Sequence, residues 1–184
     1  MKKLIYEKPS LKRKEEAISF IQEFIENNSE INGTGGLNRF LEDYEGWLKK
    51  LELDEISPIT DQRVPALTYF LVRKEDNKIV GMANIRLALN DALKKRCGNI
   101  GYCIRPTERR KGYNKINLYY ALKELKNHNN SEALLTCYKN NLGSSKTILA
   151  LGGVLQKEEV EDDKILQFYI IDINKSLKTF CKKL

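Results

Sequence analysis

The chain has few of the residues that build metal centres and disulfide frameworks. It holds one histidine, His128, and four cysteines, Cys97, Cys103, Cys137 and Cys181, with no C-x-x-C spacing. A zinc site or a thiol redox centre therefore has no ligand set to draw on. With 184 residues the chain can bury a core without covalent staples, so the cysteines read as reduced thiols of a cytoplasmic protein. No apolar run approaches the roughly 20 residues of a membrane-spanning helix. The opening "MKKLIYEKPS" lacks the unbroken apolar stretch of a secretory leader. Also missing are the G-x-x-x-x-G-K-S/T phosphate loop, the G-x-G-x-x-G dinucleotide fingerprint, internal repeats, low-complexity tracts and any linker. One domain over residues 1–184 is the expectation.

What is present is ordinary globular composition, 41% hydrophobic and 31% charged, with a net charge of +7. The excess of cations favours an anionic partner: nucleic acid, an acidic surface or a phosphate-bearing cofactor. Most basic groups, at 12–14, 94–96 and 175–183, read as solvated faces. The group from Arg105 to Lys115 is different, because of what flanks it.

Residues 3–6 suit a short strand, and Ser10 suits the cap of a helix carrying Ala17, Phe20, Ile21, Phe24 and Ile25 at helical spacing. A glycine-rich break at 28–38 precedes a second helix, expected at 39–51 with Phe40, Tyr44, Trp47, Leu48 and Leu51. "ALTYFLVR" (66–73) and "IVGMANIRL" (79–87) flank the turn "KEDNK" as a hairpin. Alternation places Ile79, Ala83, Ile85 and Leu87 on one face and Val80, Met82, Asn84 and Arg86 on the other. A strand at 97–104, a loop and helix, a strand at 133–138, a helix at 144–153 and a closing hairpin complete a mixed α/β (α+β) order.

The segment "GYCIRPTERRKGYNKINLYYALKEL", 101–125, ends a strand at Pro106, crosses a basic loop and enters a helix near Tyr113. Gly112 lets the backbone approach a ligand, and the helix start offers unpaired amides at the positive end of its dipole. With Arg109, Arg110 and Lys111 beside it, the junction suits a phosphate or pyrophosphate. An ordinary basic strand–turn–helix connection fits the same residues.

"IRPTERRKGYN" resembles the acyl-CoA pyrophosphate loop of the GNAT acetyltransferase superfamily, Q/R-x-x-G-x-G/A after a strand ending V/I-x-P. Arg109 and Gly112 match its first two fixed positions, and Asn114 departs from the final Gly or Ala. "LLTCYKNNLGSSKTILALGGVL" is similar to the superfamily's next strand and helix, with Asn141 and Ser144 on its N-x-x-A/S motif. The two matches span about residues 66–172. In particular they resemble a bacterial branch of uncharacterised predicted acetyltransferases, which often has histidine at the position of Asn99 and aspartate at that of Tyr138.

The resemblance implies a GNAT fold, with a central, mostly antiparallel twisted sheet flanked by helices. It implies transfer of an acetyl group from acetyl-CoA, as co-substrate, to the primary amine of a small molecule or peptide. A backbone amide around Tyr102, Cys103 and Ile104 would hold the oxyanion. Arg109, Arg110, Lys111, Gly112, Tyr113 and Asn114 would hold the pyrophosphate, and Asn141 and Ser144 the arm below it. Many relatives place a tyrosine seven residues after the motif asparagine; here that residue is Ile148.

Tyr102, Asn99 and Glu45 are the candidate catalytic side chains, and the Tyr102 hydroxyl has packing as its other reading. Asn84, Arg86, Tyr44 and Trp47 are candidates for the acceptor pocket, the two aromatics suiting a core equally. Residues 32–36 and 56–65 are expected to shape that pocket. His128, in "KNHNN", reads as an exposed helix-end residue. A nucleophilic Cys103 or Cys137 is unneeded for direct transfer. No metal, nucleic acid or membrane is expected as a partner, and a homodimer stays open because some relatives dimerise. A non-catalytic acyl-CoA-binding module is the alternative, and a nucleic-acid-binding protein rests on charge alone.

Overall fold

The computed structural model describes residues 3–181, with the side chain of Cys181 excepted. Lys182 and Lys183 of the C-terminal basic group, and the Cys181 thiol, lie outside the described residues. In chain order the elements are β1 Leu4–Glu7, α1 Lys14–Glu26, α2 Tyr44–Glu55, β2 Ala66–Arg73, β3 Lys78–Arg86 and α3 Asp91–Arg96. Then follow β4 Ile100–Ile104, α4 Tyr113–Asn127, β5 Glu132–Tyr138, α5 Leu142–Ala150, β6 Val154–Glu161, β7 Lys164–Asp172 and α6 Ile173–Cys181. The strands form two antiparallel sheets, ordered β1-β2-β3-β4 and β5-β7-β6. This is the mixed α/β arrangement expected, antiparallel and flanked by helices.

Both faces of the first sheet are buried. On one, α1 and α2 bring Phe20, Phe24 and Trp47 against Phe70, Val72 and Met82. On the other, Leu118, Leu122 and Leu125 of α4 meet Ala83 and Ile85 and join Leu135 and Ile171 of the second sheet. Strands covered on both sides read as nearly continuous apolar runs, which is the texture of "ALTYFLVR".

Several expectations shift. Ser10 precedes a 3-10 turn, Leu11–Arg13, and makes no capping bond, so α1 starts at Lys14. Asp43 caps α2 by accepting from the Gly46 amide at 2.9 Å, which moves that helix start from 39 to Tyr44. A β-bulge between Leu71 and Val72 pairs Leu71 with Gly81 and Val72 with Ile79. The extra residue reverses the alternation. Ile79 therefore joins Met82 on the α1/α2 face, while Val80 packs with Leu71, Ile104 and Tyr113. The sequence reading had no helix at α3 or α6. α3 buries no residue, so it carries no apolar stripe to read. α6 does carry one, Ile173, Leu177 and Phe180, set among lysines.

Candidate functional site

The site begins where the two sheets meet. Gly98, at φ +64°, turns the chain into Asn99, whose carbonyl accepts from Arg86 N at 2.7 Å. The Asn99 amide leaves β3 and donates to Leu134 O of β5 at 2.7 Å. Its side chain fills both vacated places: Nδ2 donates to Arg86 O at 3.1 Å, and Oδ1 accepts from Leu134 N at 2.9 Å. One asparagine thus splices the sheets, its side-chain amide donating to one and accepting from the other.

Past this splice β4 and β5 share no ladder bond among the described residues. The bonds from Arg86 N to Asn99 O and from Arg105 N to Val80 O fix the parity of the β3–β4 ladder. Odd-numbered residues of β4 pair with β3, so the amides of Ile100, Tyr102 and Ile104 point into the gap. The Ile104 carbonyl accepts from Arg109 Nε at 3.2 Å. The amides of Tyr102 and Ile104 have no partner among the described residues. An extended chain could add there as a strand, with Tyr102 N–H in position to receive a developing oxyanion.

At the far end of β4 the basic loop is organised around an acid. Glu108 is buried and receives Arg73 through both oxygens, at 2.7 and 3.1 Å, and Lys111 at 3.0 Å. Hydrogen bonding from Arg73 holds its pKa down at about 2. Arg73 also donates to the Tyr113 hydroxyl at 3.0 Å, pinning the first residue of α4. Arg109 reaches Ser29 Oγ at 2.6 Å and stacks on Phe24, 5.4 Å from the ring centroid. Arg110 is exposed in left-handed backbone, φ +64°, without a side-chain partner among the described residues. Gly112 precedes α4 at φ +84°, and a Cβ there would meet nothing within 4 Å. No side chain caps α4, so its first amides face this open space.

Between β4, α4 and α5 lies a small polar cluster. Tyr102 Oη and Ser144 Oγ are 2.7 Å apart, and burial pushes the tyrosine pKa up, keeping it protonated. Asn114 donates to Thr147 Oγ1 at 3.2 Å, while its buried Oδ1 has no partner. Asn141 caps α5, its side chain accepting from Ser144 N at 3.1 Å. Asn114 therefore ties α4 to α5, where a Gly or Ala could not. Ile148 is fully buried in the core beneath. Cys103 is buried and its thiol pushed up to about 12, and burial also raises Cys137, so neither supplies a thiolate at neutral pH.

On the α1/α2 side of β4 a cleft of about 560 Å³ opens. Its walls come from residues 31–36, Asn38 and Arg39, Lys50 and Asp54 of α2, residues 61–64, and Asn84 and Arg86 of β3. Gly33 lies over the Gly101–Tyr102 peptide so closely that a Cβ would stand 2.3 Å from the Gly101 carbonyl, and its φ is +66°. Only glycine fits at this position. Asn84 is held by Thr68 Oγ1 at 3.1 Å.

Tyr44 and Trp47 do not reach this cleft. Trp47 is buried with Nε1 on Gly35 O, and Tyr44 donates to Ser10 O, both at 3.1 Å. Glu45 lines a separate concavity with Lys14 and Lys49. His128 is exposed at the end of α4, with Nδ1 2.9 Å from Glu124 O. Sequence reasoning missed Glu108 and the splice. The lone acid in "TERRK" was a signal for the first; Asn99 offered none, because its partners lie on other strands.

The profile of the acetyltransferase (GNAT) family matches residues 35–152. No curated protein matches in sequence. Among solved structures, RimJ of Mycobacterium smegmatis in complex with CoA-disulfide superposes with a TM-score of 0.69, at 12% identity, over 96% of this chain and 88% of its own. The ribosomal-protein-S5-alanine acetyltransferase of Vibrio fischeri gives 0.64 at 16% identity over 92% of each chain. The microcin C7 self-immunity acetyltransferase MccE, in complex with acetyl-CoA and AMP, gives 0.63 at 20% identity over 91% of each.

Proposed function

The chain belongs to the acetyltransferase (GNAT) family, and from that premise we propose that it transfers the acetyl group of acetyl-CoA to a primary amine by direct attack on the thioester. The observation that carries this reading is the unpaired Tyr102 amide in the β4–β5 gap, on the strand that leads to the uncapped start of α4. The pyrophosphate would rest on the α4 amides over Gly112, with Arg110 the free cation beside it. Arg109, Lys111 and Tyr113 would shape that loop through their ties to Ser29, Glu108 and Arg73. The pantetheine arm would run along β4 past Asn141 and Ser144.

In the reaction the amine nitrogen bonds to the thioester carbon, and the carbonyl oxygen becomes an oxyanion held by the Tyr102 amide. One such donor contributes about 3 kcal/mol to the barrier reduction. The C–S bond then breaks, the thiolate leaves toward the protonated Tyr102 hydroxyl, and the proton that the amine nitrogen gives up on becoming an amide ends on the sulfur, so that amide and free thiol are the products. This phenol serves where Ile148 replaces the tyrosine of many relatives. Asn99 is a positioning residue that sets the gap, and Glu45, in its separate concavity, has no part.

Calorimetric titration with acetyl-CoA tests the reading, comparing wild type, Gly112→Ala and Gly112→Glu. Space is open at Gly112, so both variants cost only backbone strain, about 1 kcal/mol. The alanine variant is expected to keep binding, and the glutamate variant to lose at least about tenfold by placing an anion at the helix start. Equal affinity in all three would remove the pyrophosphate from this loop. Binding without turnover of a broad amine panel would favour a non-catalytic acyl-CoA module.

A further inference from the structure

Arg86 ends β3 inside the cleft wall, and its environment is unlike that of the other arginines the fold withdraws from water. Arg13 meets Glu7 at 2.6 Å, Arg73 meets Asp76 and Glu108 at 2.6 and 2.7 Å, and Arg105 meets Glu16 and Glu23 at 2.6 and 3.1 Å. Arg86 has one side-chain bond, Nη1 to Gly98 O at 3.1 Å, and no carboxylate partner among the described residues. Burial pulls its pKa down, and only the Cys97 thiol, with no carboxylate, is set against the effect. A half-buried cation with no carboxylate beside it is partly stripped of water, and an incoming anion relieves that cost.

The rest of the cleft points the same way. Arg39, Lys50, Arg63 and Arg86 line it against Asp54 and Asp61. Asp54 is already paired with Lys50, which leaves Asp61 alone among three arginines. Such a field repels a polycation and draws an anion. The Arg86 guanidinium also lies close to the chemistry. Its Nη2 is 3.8 Å from where a Gly101 Cβ would stand, and Gly101 precedes the residue whose amide faces the gap.

We infer that the acceptor is an amine that also carries an oxyacid anion, a carboxylate or a phosphate, bound by the planar fork of Arg86 at the cleft wall. This rests on the transferase reading above and deepens it. Bidentate recognition fits a guanidinium whose other nitrogens are uncommitted. A site built to bond such a group discriminates strongly against an analogue lacking it.

The test uses the full chain, acetyl-CoA and amines in matched sets. Amino acids are paired with their carboxamides, and aminoalkyl phosphates with the corresponding amino alcohols. The acid member of at least one set should be acetylated with kcat/KM about tenfold or more above its neutral partner. Whether carboxylate or phosphate set responds identifies the source of the anion. Arg86→Gln should bring that ratio near one through KM, with acetyl-CoA affinity in calorimetry unchanged. Arg86→Lys should keep part of the preference, which separates charge recognition from loss of the Gly98 bond. Neutral or polycationic amines acetylated as well as the acids would overturn the inference and leave the transferase reading standing. Acetyl-CoA bound with no amine acetylated would overturn both.

Discussion

Glu108 is an acid in the middle of a loop that reads as an anion site, and it is 4% exposed. It spends Lys111 and anchors the loop to Arg73 of the sheet, so the basic run offers less free charge than its sequence promises. A carboxylate held at about 2 in the folded protein, against about 4.3 unfolded, stabilises the fold above about pH 4.3. That stabilisation disappears as the pH falls through about 2, because the unfolded chain takes up the proton first. The displacement corresponds to the order of 3 kcal/mol. Glu108→Gln is therefore expected to lose about 2–3 kcal/mol at neutral pH, since it strands buried guanidinium donors. The difference from wild type should shrink steadily between about pH 5 and pH 2. Urea midpoints across that range measure it, and a pH-independent difference would assign the effect to packing instead.

At the scale of elements, the splice at Asn99 decides where β4 and β5 part. Asn99→Ala leaves two part-buried backbone groups, Leu134 N–H and Arg86 C=O, without side-chain partners, at about 1 kcal/mol each. The variant is expected to be less stable, to exchange the Leu134 amide faster and to bind acetyl-CoA more weakly as the gap loses its fixed origin. Hydrogen exchange at Leu134 unchanged from wild type would show that other contacts hold the junction. What the sequence could and could not reveal follows the same physics. The hairpin of 66–73 with 79–87 and the α4 entry near Tyr113 were legible, because turn residues and periodicity are local signals, whereas α5 starts at Leu142 behind its Asn141 cap and not at 144 as the residues alone suggested. The bulge was not, since Ile79, Val80, Gly81 and Met82 offer no polar residue to mark a face. α6 was overlooked because its lysines mask a stripe that packs Phe180 on Tyr119, ring centroids 5.4 Å apart. The role of Asn99 depends on Leu134, 35 residues onward, and no local pattern encodes that.

Over the whole molecule, the first sheet serves two cores at once. Phe70, Val72 and Met82 face α1 and α2, while Leu67, Ala83 and Ile85 on the same strands face α4 and the second sheet. Neither core can dissolve without stripping one side of β2 and β3, so the two are expected to unfold together. The chain carries one tryptophan, Trp47, buried in the α1/α2 core, and its fluorescence reports that layer alone. Far-ultraviolet circular dichroism reports every element. Their urea midpoints should coincide, and acetyl-CoA at a hundred times its Kd should raise both equally, by the concentration that corresponds to about 2.7 kcal/mol of added stability. The proposed cofactor groove lies between β4 and β5, away from Trp47, so an equal shift requires coupling through the shared strands. A tryptophan transition that comes early and ignores the ligand would mean that the α1/α2 layer releases on its own. The acceptor cleft, which draws its walls from that layer and from β3, would then open before the cofactor groove does.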